Sequence, residues 1–392
     1  MTVEITLKDA DGEPLQALGN LFYYENAEVR EVAAETDANG CLAFGDVAGC
    51  LELRIAMFRG GFWTLRLDAG QLPEVLTCPP LPSCQGTMWW HKLLGIEKVD
   101  TAAGKGIRIG VIDAPFMPIS GLEHVAMLDI FGNPIYPDIG TLPSHGEVVC
   151  RLIGQRTSSL ERFGGIAPGA ELICIGAEAG GGLLNPVEVA SAIVRLARDF
   201  NCDLINLSAG RRQPTSGIHK AICEAREFGA LCVVAAGNEP YDQISFPARY
   251  PECVGVGAIG LKDWGPEGSY VRYMSDVARD NAGLNGKAAD HDIFHYPSSA
   301  YGEGLDVVAP GVGLLIHRGA EPLLDVAGTS FASPLVTGLL ALILAKSEAY
   351  QGLARSPERP LTALSLLQSA CCRTGIHVER EGLGLPTLRS QL

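Results

Sequence analysis

Six short apolar runs, separated by stretches of helical pattern, set the strongest limit on what this 392-residue chain can become. They are Ile107–Ile112, Leu172–Gly176, Leu204–Leu207, Leu231–Ala236, Cys253–Ala258 and Leu305–Val308. None alternates apolar with polar residues, which is the pattern of strands covered on both faces. Between them "NPVEVASAIVRLARDF" opens with Asn185 as cap, Pro186 at the first helical position and Glu188 three residues on, a capping-box arrangement. A second helical pattern, Ser216–Phe228, stops at Gly229. Strand–helix alternation of this kind predicts an α/β fold built on a doubly wound parallel sheet with right-handed crossovers. In such sheets ligands and chemistry sit beyond the carboxyl ends of the strands.

The first seventy residues follow a different grammar. Val3-Ile5-Leu7 and Leu51-Leu53-Ile55-Met57 alternate, and Asp11-Gly12, Asn39-Gly40 and Gly60-Gly61 mark hairpins. Residues 1–70 therefore read as a small β-sandwich. The stretches "DADGEPLQAL" and "TDANGCLAFGDV" resemble transthyretin-like, carboxypeptidase-regulatory β-domains. Residues 71–87, "QLPEVLTCPPLPSCQGT", read as a proline-rich linker of extended backbone. The α/β domain then occupies residues 88–392. Within it Leu261–Pro297, polar and mixed in charge, reads as an inserted loop; His291 and His295 of its "DHDIFH" segment read as solvated rather than metal-binding.

Composition is that of a globular protein, 47% apolar and 19% charged. A net charge of −15 argues against nucleic acid or an anionic membrane as partner. The N-terminal "MTVEITLKDADGEPLQ" lacks the basic and apolar regions of a signal peptide, and Leu335–Ala345 is too short to span a bilayer. The expected location is the cytoplasm, with the twelve cysteines mostly buried and reduced.

Chemistry concentrates at four places. Asp113 ends the strand "IRIGVID"; taken singly, such an aspartate is a turn residue. His145 of "SHGEVVCRLIG" precedes a glycine and an apolar helix. Asn238 ends the strand "VVAAGNEP", as a turn former or as an amide aimed at a developing oxyanion. Ser330 of "GTSFASPLVTG" opens the most apolar helix in the chain. A serine there is either an N-cap or a nucleophile, and a nucleophile needs a base, an orienting acid and an oxyanion donor.

The order Asp, His, Asn, Ser, each at a strand end or helix start, resembles that of subtilisin-like serine proteases, peptidase family S8. "VID", "SHG" and "GTSFASP" resemble the family's aspartate, histidine and nucleophile motifs. "GIAPGAEL", "LINLSAG" and "SSAYGEGLDVVAPG" are similar to further family segments. Ala114-Pro115, Glu147-Val148, Phe331 and Leu335 depart from the usual residues. The resemblance implies a three-layer α/β/α fold and an endopeptidase, of processing type, acting on peptides or proteins through an acyl-enzyme, and the N-terminal composition places it inside the cell. Asp113, His145 and Ser330 would form the triad and Asn238 the oxyanion site. Ser208, Ala209 and Gly210 would pair with extended substrate, and Ala236, Gly237 and Glu239 would border the pocket before the scissile bond. No cofactor is required for such chemistry, and a structural calcium ion is compatible with it. The alternative is a catalytically silent subtilisin-fold scaffold that binds peptides. The N-terminal domain would recruit substrate, restrain the enzyme or stabilise it.

Overall fold

The computed structural model describes residues 3–391 except 26–27, 46–49, 58–60, 69, 71, 84, 99, 141, 158–162, 178–183, 241–242, 289 and 320. Gly60 of the Gly60-Gly61 turn and Cys84 thus lie outside the described residues. The chain forms two compact units. One comprises Met1–Cys84, Asp263–Val277 and Leu315–Val326; the other comprises Gln85–Lys262, Ala278–Leu314 and Ala327–Leu392.

The first unit is β-rich. Strands β1 (Val3–Lys8), β2 (Ala17–Glu25), β3 (Glu28–Glu35), β4 (Cys41–Phe44), β5 (Cys50–Met57), β6 (Leu65–Asp68) and β7 (Val75–Thr77) form two sheets, ordered β4-β1-β7 and β3-β2-β5-β6. Alternation buries Val3, Ile5 and Leu7 of β1 and Ala17 and Leu21 of β2, facing Leu42, Leu53 and Ile55 in the core. A Cβ on Gly19 would lie 2.3 Å from Leu42 Cδ2, so the two sheets meet where this strand has no side chain. The first two predicted turns have a common device. Asp9 Oδ1 accepts from the Asp11 and Glu13 amides, Asp37 Oδ1 from those of Asn39 and Cys41, and Gly12 and Gly40 take φ of 85° and 76°.

Part of the stretch read as a linker joins this unit. Val75–Thr77 pairs in parallel with β1, and the Cys78 amide donates to the Lys8 carbonyl at 2.8 Å. Two later segments belong to this unit as well. The Trp264 ring meets Trp63 edge-on at 5.6 Å, the Arg66 amide donates to the Gly268 carbonyl at 2.9 Å, and Tyr270 N–H donates to Thr64 O at 2.8 Å. Asp325 accepts from the Thr64 amide at 2.7 Å, and the Gly61 amide donates to Leu323 O at 3.0 Å.

The second unit carries the predicted parallel sheet. Its strands are β8 (Arg108–Asp113), β9 (Ala126–Leu128), β10 (Glu171–Gly176), β11 (Leu204–Leu207), β12 (Leu231–Ala235), β13 (Cys253–Leu261), β14 (Asn285–Ala288) and β15 (His291–His295), in the order β14-β15-β13-β12-β11-β8-β10-β9. β16 (Val307–Arg318) pairs with β13, and its far end pairs with β17 (Glu321–Ala327). Strands β8 to β13 run parallel to their neighbours, and β15 is antiparallel to β13. The insertion read as one loop is therefore divided. Asp263–Val277 belongs to the β-rich unit, whereas "DHDIFH" adds an edge hairpin to the main sheet with His295 fully buried. Its apolar run, Ile293-Phe294 among polar residues, is too short to declare a strand by itself.

Helices α1 (Trp89–Leu93), α2 (His145–Gly154), α3 (Pro186–Arg198), α4 (Ser216–Glu227), α5 (Tyr270–Arg279) and α6 (Thr329–Lys346) follow in chain order. α2 and α6 pack on each other and on the sheet, and α3 and α4 form a second pair against it. α6 is long and apolar enough to cross a membrane, but 78% of it is buried inside the protein as a core helix. This is a subtilisin-like α/β fold, and it delivers the carboxyl ends of β8, β11 and β12 to one side.

Candidate active site

Asp113 is the last residue of β8 and only 4% exposed. Its Oδ1 accepts from the Ala114 amide at 2.7 Å, so the alanine that replaces the usual residue still satisfies this carboxylate through its backbone. His145 is the first residue of α2. Its Nδ1 lies 2.8 Å from Asp113 Oδ1 and 3.0 Å from Oδ2. Ser144 caps the helix by accepting from the Glu147 amide at 3.2 Å. Gly146 is required by close approach: a Cβ there would lie 2.2 Å from the Ala114 carbonyl oxygen. Burial disfavours the imidazolium, but the hydrogen bond to Asp113 and its negative charge outweigh that, holding the His145 pKa above its ordinary value. Glu147, another departure, has a clear role. Its Oε1 accepts from both Nε and Nη2 of the buried Arg151, at 2.9 and 2.6 Å, and Arg151 also donates to the carbonyls of Ser120 and Ile119.

Ser330 is not an N-cap. Gly328 is the cap of α6, without a side-chain bond, and Ser330 occupies the second helical position. Its hydroxyl donates to the Ser208 carbonyl at 3.1 Å. Pro334 explains the geometry beneath it. A proline has no N–H to give to the carbonyl four residues earlier, so the Ser330 carbonyl loses its helical partner. The Ser208 hydroxyl replaces that partner at 2.7 Å and also contacts Ser333 Oγ at 3.0 Å. Asn206 donates to Ser208 Oγ at 2.9 Å and accepts from the Thr337 hydroxyl at 3.0 Å. The network is buried and clamps the first two turns of α6 to the end of β11.

Asn238 follows β12. Its Oδ1 accepts from the Thr329 amide at 2.8 Å and from the Thr329 hydroxyl at 3.0 Å, and Thr329 Oγ1 in turn accepts from the Gly237 amide at 3.1 Å. With Oδ1 doubly committed, the amide orientation is set, and Nδ2 has no partner among the described residues. Phe331 lies beside His145 with ring centroids 5.5 Å apart.

Asp113, His145 and Ser330 share one cavity of about 530 Å³ with Ser208, Ala209 and Gly210. Its wall is mostly apolar and includes Leu184, Val189, Leu207, Ile218 and Phe246. Ala236 and Gly237 do not line it: Ala236 is buried, with its amide on Val256 O and its carbonyl taken by Ser245. Glu239 does not line it either and pairs with Arg212 at 2.9 Å on the surface. Sequence reasoning missed Thr329, Asn206, Ser333 and Thr337. For Asn206 and Thr337 a signal was present: each is a polar residue inside an apolar run, and buried polar groups demand partners.

Residues 104–369 match the family model Peptidase_S8, the Subtilase family. Subtilisin Savinase of Lederbergia lenta is 27% identical over 283 residues, covering 69% of this chain and 91% of that protein. Halolysin of Haloferax mediterranei is 31% identical over 260 residues, covering 65% of this chain and 43% of that protein. The structure of the prenylagaramide maturation protease PagA superposes with a TM-score of 0.54 at 22% identity, covering 77% of this chain and 96% of that one. The self-cleaved protease domain of PatA gives 0.53 at 20% identity, covering 74% and 96%. The family model spans well over half of the chain and its named relatives are serine proteases, so the chain belongs to the subtilase family and is a subtilisin-like serine endopeptidase.

Proposed function

We propose that Asp113, His145 and Ser330 act as a catalytic triad, with Asn238 Nδ2 and the Ser330 amide holding the oxyanion. The observation that carries this reading is the Asp113 carboxylate gripping His145 Nδ1 inside the cavity that Ser330 lines. That bond fixes the tautomer whose Nε2 is free to accept a proton. For attack, the Ser330 hydroxyl exchanges its bond to Ser208 O for His145 Nε2, a contact that commonly tightens only with substrate bound. The proton passes to His145 and then to the leaving amine, leaving an acyl-enzyme that water hydrolyses. Negative charge forms on the carbonyl oxygen as the bond is made, where a preoriented amide stabilises it most.

The substrate is a polypeptide that places an apolar side chain against Leu184, Val189, Leu207, Ile218 and Phe246, with Ala209 and Gly210 supplying backbone for extended pairing. A limited, processing type of cleavage fits this selective cavity, and ten cysteines free of disulfide bonds support a reducing compartment, the cytoplasm. A fluorophosphonate probe tests the assignment: Ser330 should be labelled and Ser330→Ala should not. Peptide-library cleavage should then show enrichment of apolar residues upstream of the cut. Absence of labelling in a folded wild-type chain would favour the silent scaffold.

A further inference from the structure

α4 presents His219 and Cys223 one turn apart on a single face. Glu252, in the segment just before β13, faces them, with His219 Nε2 3.1 Å from its Oε2. One imidazole nitrogen, the thiol sulfur and one carboxylate oxygen lie within 4.8 Å of one another, and all three residues are half-buried. No second such group occurs among the described residues.

The surroundings hold these groups before anything binds. The Tyr250 ring stacks on His219 at 4.2 Å with 11° between planes. The Tyr250 hydroxyl accepts from the Thr215 amide at 3.0 Å and lies 3.3 Å from the Thr215 carbonyl, at the start of α4. Arg226 donates to the Glu252 carbonyl at 3.2 Å, which anchors the third group from the same helix. Support of this kind, ring and backbone fixed by neighbours, is what metal ligands require of their surroundings. The donor set decides the ion. Calcium and magnesium take oxygen ligands, whereas one nitrogen, one sulfur and one carboxylate suit a borderline divalent cation.

We propose that His219, Cys223 and Glu252 bind a zinc-class divalent cation, which ties α4 to the segment preceding β13. Three protein ligands leave a fourth position for water. An ion held between them takes the place of the His219–Glu252 contact and requires the Cys223 sulfur as thiolate, so binding releases a proton. Its position has meaning for the enzyme. Ile218, next to His219, lines the cavity, and so does Phe246, whose ring lies 4.9 Å from Tyr250. The tie stands directly behind the apolar wall of that cavity.

The full chain carrying Ser330→Ala, stripped of metal by a chelator, is the material for the test. Titration with Co2+ should give a saturable thiolate-to-cobalt charge-transfer band at one equivalent, bleached by Zn2+. Cys223→Ser should abolish the band, His219→Gln should weaken binding by at least about tenfold, and Cys372→Ser, at an exposed cysteine, should leave both unchanged. Zn2+ should raise the thermal midpoint of the parent chain and not of the Cys223→Ser chain. Circular dichroism on each variant confirms that it is folded. A band that survives Cys223→Ser, or no saturable binding to the folded parent, overturns the proposal.

Discussion

The two units spend their polar groups differently. In the α/β unit buried hydroxyls and amides converge on one place: Asn206, Ser208, Ser333 and Thr337 hold the first turns of α6, and Thr329 holds Asn238. In the β-rich unit polar groups join distant chain segments. Asp325 takes the Thr64 amide, and the Arg66 guanidinium pairs with Glu52 and Asp68 and lies over the Tyr273 ring at 3.8 Å. Hydrogen bonding that aligns reacting atoms must tolerate little movement, whereas hydrogen bonding that closes a sheet only has to satisfy the backbone. A substitution in one set should damage rate, and in the other stability.

Ser330→Ala should break the comparison first if it is wrong. Peptidase activity should fall on the order of 10⁴–10⁶-fold with thermal unfolding unaltered; appreciable residual turnover in a folded variant would refute the nucleophile. Asn238→Ala should lower kcat by roughly 10²–10³-fold at nearly constant KM, because the donated bond strengthens only in the transition state. Thr329→Val removes the hydroxyl that orients Asn238 and should cost about tenfold in kcat; a KM effect alone would show that Thr329 supports substrate and not the amide.

Asp325→Asn sharpens the comparison from the other side. Burial raises the Asp325 carboxyl to about 6, only partly offset by the Thr64 bonds. A raised carboxyl keeps its proton in the folded state at pH values where the unfolded chain has lost it. Stability therefore falls as pH rises from about 4 to about 6 and stays lower above. The amide variant, which retains an acceptor for Thr64, should gain up to about 3 kcal/mol at pH 8 and nothing at pH 4. Denaturant midpoints at both pH values measure this, and an equal change at both would place the effect elsewhere than in the charge. Activity of the folded variant should be unchanged.

The smallest effect is on a pH profile. The base works as neutral imidazole, so kcat/KM should rise with pH through a pKa above the ordinary value of about 6.5, and Asp113→Asn should move that limb downward. The His145 contribution to stability runs in the matching direction. It is present in full below the unfolded pKa and is lost as pH rises through the higher folded one. A limb below the ordinary histidine value would mean that Asp113 does not charge-stabilise His145.

The sheet of the α/β unit was legible because strands covered on both faces are apolar throughout, and Leu204–Leu207 matches to the residue. Asp113, His145, Asn238 and Ser330 stood out because each ends a strand or opens a helix. The roles of Thr329 and Ser208 were not legible, since their partners lie 91 and 122 residues away and no local period marks such distances. The pairing of Glu239 with Arg212 was hidden as well, because the two lie 27 residues apart. The affiliation of Asp263–Val277 was hidden for a related reason: Trp264 and Tyr270 complete a hydrophobic face whose other half was made near the N-terminus.

That distribution of segments has a consequence for synthesis. The N-terminal part of the β-rich unit leaves the ribosome first, yet its remaining pieces begin at Asp263 and Leu315. At about 5–20 residues per second, the gap from residue 84 to residue 263 lasts roughly 10–40 s. During that interval Trp63 and the edge around Thr64 wait without the strand and ring that later cover them, so a region made ahead of most of the α/β sheet is completed only after much of that sheet has been synthesised.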